Sequence, residues 1–83
     1  MKFPNNRQQK IIELILRYKI TTEEQNQITE SVNAIEGYLQ DTIWDVAENH
    51  LLDNAIIPET DDRGRALTAL LVNEVMCKLN TSL

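Results

Sequence analysis

The sequence predicts an all-α fold, a small antiparallel bundle of three to four helices. Three observations carry that prediction. The chain has 83 residues but only two Gly, two Pro and one Phe, too little turn punctuation and aromatic content for a compact β-sandwich or barrel. Its apolar residues recur at three- and four-residue spacings, the period of one helical face. Apolar residues make up 42% and charged residues 25%, an ordinary globular composition rather than that of a disordered tail. A chain this short buries only a little more than about 60% of its unfolded surface, so one domain spanning 1–83 is expected.

The first segment covers approximately 6–20, where Ile11, Leu14, Ile15 and Tyr18 share a face. Ile12 and Leu16 widen that face, so this helix is expected to be contacted on two sides and to sit centrally in the core. Thr21 with Glu24, and Thr22 with Gln25, match the reciprocal capping pattern and start a second helix over approximately 22–39. Ile28, Val32, Ile35 and Leu39 follow a 4-3-4 spacing that keeps one narrow seam toward a partner helix. Gly37 weakens a helix interior, and Thr42 with Asp45 offers a new start, so helices two and three are either separate or one long member. Ile43, Trp44, Ala47, Leu51 and Leu52 form the apolar face of a segment over approximately 42–55, which Pro58 closes. Turn and capping residues fill 58–64, and the fourth segment, approximately 62–80, is apolar on nearly every side from Ala66 to Leu79. It is expected to be buried.

Charge is divided unevenly along the chain. Net charge is −5, yet residues 1–19 carry Lys2, Arg7, Lys10, Arg17 and Lys19 against Glu13 alone. Residues 63–83 are also basic on balance, with Arg63, Arg65 and Lys78 against Glu74. Between them, 20–62 holds eleven carboxylates and no Lys or Arg. Such a stretch has no ion pairs within itself, so it repels itself, pairs with the basic segments, or meets a basic partner. Solvation of the helices with local cations from the first and fourth helices is the plain alternative. The same distribution argues against direct DNA or RNA binding, which needs clustered Lys and Arg.

Candidate chemistry is sparse. Cys77 is the sole cysteine, so neither an internal disulfide nor a Cys/His zinc site is expected, and Cys77 reads as a packing residue. His50 is the sole imidazole. Asp53 and Asn54 follow it by one turn, but no further ligand or second base joins them, so it reads as a surface or core-rim residue with no metal and no catalytic role. Trp44 reads as either a core anchor beside Leu51, the favoured reading, or an exposed interface residue. Ile56 and Ile57 either close the core or leave an apolar patch. Arg63 and Arg65 around Gly64 are neutralised locally by Asp61 and Asp62, so local pairing or capping is expected; a lone glycine gives no phosphate-binding loop. No signal-peptide core or membrane-length apolar run is present, and a cytoplasmic setting is expected.

The function expected is therefore non-enzymatic binding without a cofactor. The partner is another protein or complex with a basic surface, not nucleic acid or a membrane. Glu23, Glu24, Glu30, Asp41, Asp45, Glu48 and Asp53 are the candidate contacts. An acidic helical surface of this kind can mimic the phosphate line of a nucleic acid. Small acidic inhibitors made by phages, some anti-CRISPR proteins among them, are similar in size and charge, although no motif ties this chain to any of them. The alternative is a homo-oligomeric module, a homodimer for instance, packed through Ile28, Val32, Ile35 and Leu39.

Overall fold

Local signals in the sequence account for most of the boundaries of four helices, α1 (Asn6–Tyr18), α2 (Thr22–Ile35), α3 (Ile43–Asp53) and α4 (Asp62–Thr81). The computed structural model describes residues 6–39 and 41–81, with side chains to Lys78. Lys2 and the side chain of Leu79, used in the charge and periodicity readings, lie outside the described residues. Among the described residues there is no strand and no helix long and apolar enough to cross a membrane.

The capping box opens α2: Thr21 Oγ1 accepts from the Glu24 amide at 3.1 Å, and Glu24 Oε1 accepts from the Thr21 amide at 2.9 Å. The Thr42–Asp45 pair does not repeat it. Thr42 sits at the start of α3, but its hydroxyl donates to the Leu39 carbonyl at 3.2 Å and caps nothing. Helices two and three are separate, because α2 stops at Ile35 and a turn through Glu36 and Gly37 follows.

α1 and α3 end earlier than their periodicity indicates, and by the same device. Lys19 and Ala55 adopt left-handed backbone, with φ of 51° and 57°. The amide of the next residue then reaches back five positions, Ile20 to the Ile15 carbonyl at 3.0 Å and Ile56 to the Leu51 carbonyl at 2.9 Å. This is the Schellman closure, with an isoleucine returning its side chain to the core side. Glycine normally marks such a turn. Neither position has one, so the sequence carries no signal for it.

α4 opens with Asp61 Oδ1 accepting from the Gly64 amide at 2.8 Å. Gly64 is buried, and a Cβ there would stand 2.2 Å from the Glu59 carbonyl oxygen. Only glycine lets the 59–61 loop press against the first turn.

The expectation of a central first helix is overturned: α4 is the axis. Among the described residues it alone brings its backbone close to all three other helices, whereas the backbone of α1 stays away from those of α2 and α3. Leu67, Leu70, Leu71 and Val75 of α4 are buried and meet Leu14, Ile28, Val32, Ile35, Ala47 and Leu51 in one core. A single helix can meet three neighbours only if it is apolar nearly all round, as its sequence is. The face-widening Ile12 and Leu16 stay outside, 56% and 73% exposed.

Candidate interaction surface

The acidic stretch folds into α2, α3 and the connections around them. Glu23, Glu30, Asp41, Asp45 and Asp53 are exposed, while Glu24 and Glu48 are half-buried. Tyr38, Leu39 and Trp44 are also exposed, at 52%, 76% and 39%. Trp44 is therefore not the core anchor its place in the apolar pattern indicates. It projects at the first turn of α3, so three large apolar or aromatic side chains, Tyr38, Leu39 and Trp44, are exposed along residues 38–44 of the chain, the same stretch that carries Asp41.

Between α2 and α3 runs a groove in two adjoining parts of about 260 and 320 Å³, which share Ala34 and His50. Glu30 lines one part; Tyr38 and Asp53 line the other. His50 Nε2 lies 3.1 Å from Ser31 Oγ, and that hydroxyl lies 2.8 Å from the Gln27 carbonyl. A carbonyl only accepts, so the hydroxyl proton is directed there and Nε2 is the donor to Ser31. His50 Nδ1 is left as an acceptor facing Asn54 Nδ2 at 3.4 Å. The proton order is opposite to that of an activated serine, whose hydroxyl gives its proton to the imidazole. The network ties α2 to α3. Sequence spacing exposed the His50–Asn54 relation but not Ser31, which lies on another helix.

Two carboxylates of the stretch are bound by cations of α4. Glu24 holds Arg63 through both carboxylate oxygens, and Arg63 also approaches the Lys19 carbonyl at 3.5 Å. Arg63 thus joins the end of α1, the start of α2 and the start of α4; its ion pair is with Glu24, and Asp61 adds a lesser electrostatic attraction. Its hydrogen bond is the main cause holding the Glu24 carboxyl down at about 2, against an opposing effect of burial. Glu24 is consequently a fold-making residue, less free for a partner than its neighbours. Lys78 reaches Glu36 at 2.7 Å and Asn33 at 2.8 Å.

The proposed oligomer seam is not a surface. Ile28, Val32 and Ile35 are 0%, 6% and 1% exposed, packed into the core that α4 organises. Leu39 alone is exposed, because α2 has ended before it. The narrow seam does face a helix, but one of the same chain.

Elsewhere, a cleft of about 430 Å³ lies over α4 between α1 and α2, lined by Ile11, Val32, Glu74 and Cys77 among others. Burial pushes the Glu74 carboxyl up, with Thr29 partly offsetting it, and burial likewise pushes the Cys77 thiol up. A thiol raised in this way is poorly nucleophilic. Ile57 is buried and Ile56 half-buried, so the pair closes the core at the end of α3. Among the described residues no group of three or more His, Cys, Asp or Glu is placed to hold a metal ion.

By fold the chain is a small all-α bundle built around its fourth helix. No family model, no curated protein and no solved structure matches it.

Proposed function

We propose that this chain is a non-enzymatic binding protein whose α2–α3 face contacts a basic surface on another macromolecule. One observation carries this reading: Tyr38, Leu39 and Trp44 are each exposed on a segment that carries many carboxylates and no Lys or Arg. Exposed aromatic and large apolar residues are the kind on which protein interfaces are centred, with polar residues at the rim. In its most concrete form the face occupies the nucleic-acid groove of an enzyme or complex, with carboxylates standing where phosphates would.

A tagged pull-down from lysate, repeated with duplex DNA as competitor and at raised salt, tests the proposal. The expected result is retention of a nucleic-acid-binding protein that DNA and salt displace, since exposed charge contacts are screened over about 8 Å at physiological ionic strength. The combined variant Glu30→Lys, Asp45→Lys, Asp53→Lys should lose that protein. Equal retention by the folded triple variant would remove the reading.

A further inference from the structure

α1 and α2 both lie on α4, but their backbones stay apart, and the space left between them is the cleft of about 430 Å³. Ile11 of α1, Val32 of α2 and Cys77 of α4 give it apolar walls, and Glu74 of α4 places a half-buried carboxylate in it. Among the described residues no cation forms an ion pair with that carboxylate. Lys78, one turn further along α4, reaches Glu36 at 2.7 Å and Asn33 at 2.8 Å, and Arg7 reaches Asn73 at 3.5 Å. Thr29 faces Glu74 from α2, but its hydroxyl also lies 2.9 Å from the Gln25 carbonyl, and its one proton cannot satisfy both acceptors. Glu74 thus stands in an apolar cleft with less compensation than polar groups taken out of water normally have.

We propose that this cleft binds a small molecule with an apolar body and one protonated amine, the ammonium on Glu74 and the body against Ile11, Val32 and Cys77. The site is separate from the α2–α3 surface and does not depend on that surface binding a partner. Its size fits: small-molecule sites occupy roughly 300–1,000 Å³, with apolar walls and a few polar groups that fix orientation. The charge selects the ligand. An ammonium brings several donors to a carboxylate that has only a share in one, and pairing in a partly desolvated site restores what burial has cost it. An anion would meet Glu74 as a like charge, and Lys78 would have to leave Glu36 and Asn33 to receive it. A neutral alcohol would bring one donor and no charge.

Titration of the whole chain with hexylamine, followed by NMR of the methyl groups and backbone amides, tests this directly. Hexylamine should shift the Ile11 and Val32 methyls and the Glu74 amide in a saturable way, with a dissociation constant on the order of 1 mM for so small a ligand. Hexanol and hexanoate should bind roughly tenfold more weakly or worse, the worth of one charge-assisted hydrogen bond. Glu74→Gln removes the charge and keeps the shape, so it should lose the preference and take hexylamine and hexanol alike; dispersed amide signals check that the variant stays folded. Hexylamine that never saturates, or that shifts the exposed Glu23 and Glu30 amides instead of the cleft, would overturn the proposal, because it would reflect general attraction to an acidic chain. Hexanol or hexanoate binding as well as hexylamine would overturn it too, as would a Glu74→Gln variant that keeps the preference.

Discussion

Replacing Gly64 by alanine should destabilise this protein, although alanine is ordinarily the better helix former by about 1 kcal/mol. The added Cβ would sit 2.2 Å from the Glu59 carbonyl oxygen and 3.1 Å from Asp61 Oδ1. Ordinary C···O approach is about 3.3 Å, so roughly 1 Å of backbone movement is required. Either the 59–61 loop retreats and weakens the Asp61 cap, worth about 1 kcal/mol, or the first turn of α4 shifts and carries Arg63 away from Glu24. Overpacking of this kind costs about 1–3 kcal/mol. With the propensity gain and the cap loss nearly cancelling, the net is a loss of about 1–3 kcal/mol, or a Tm fall of roughly 5–20 °C for a domain of this size. Gly37→Ala is the control, since nothing lies within 4 Å of its Cβ and its φ is not positive. It should gain about 0.4–1 kcal/mol from the unfolded state alone. Thermal and urea unfolding followed by far-UV circular dichroism measures both. A neutral or stabilising Gly64→Ala would refute the claim that loop contact fixes this glycine.

Three further expectations follow from the same structure. Ala55→Gly should stabilise by about 1 kcal/mol, inverting the usual helix rule, because Ala55 holds left-handed backbone that Cβ disfavours by about that amount; unfolding midpoints in urea at unchanged m-value would show it. Glu24→Gln should cost about 1–2 kcal/mol at pH 7, between an exposed pair and a broken buried one. Because the folded carboxyl is held near 2 against an unfolded value of 4.5, that contribution is present above 4.5 and disappears as pH falls toward 2, so the wild-type advantage should close over that window in a pH series of unfolding curves. Glu74→Gln should behave oppositely, since burial raises the Glu74 carboxyl: the variant gains stability at neutral pH, and the gain vanishes at pH below 4, where the carboxyl is protonated in both states.

Much of the fold was legible because local rules and the final packing agree. The capping box at Thr21 and the apolar circumference of α4 each follow from residues within a turn or two of one another, whereas the signals around Gly37 and Thr42 left the break between α2 and α3 open. What escaped was set by geometry without a local marker. Lys19 and Ala55 end their helices in a conformation glycine would have advertised. Arg63 finds Glu24 across 39 residues, and its nearer acids masked that pairing. Width of an apolar face misled twice, for α1 and for Trp44, because periodicity tells which residues share a face but not whether a neighbour arrives to cover it. The candidate surface was legible as composition, a long run without cations; that Glu24 is committed within the fold while Tyr38 and Leu39 stand free depends on where α2 stops.

The axial position of α4 also sets an order of events during synthesis. α1, α2 and α3 leave the ribosome before α4 exists, and among the described residues α4 is the one helix whose backbone lies close to that of α1. A nascent chain lacking α4 therefore exposes Leu14, Ile28, Val32, Ile35 and Leu51 together, the residues that later form the core. Of the helix–helix contacts among the described residues, only that between α2 and α3 can form before the fourth helix exists, so the core cannot be completed until α4 has been made.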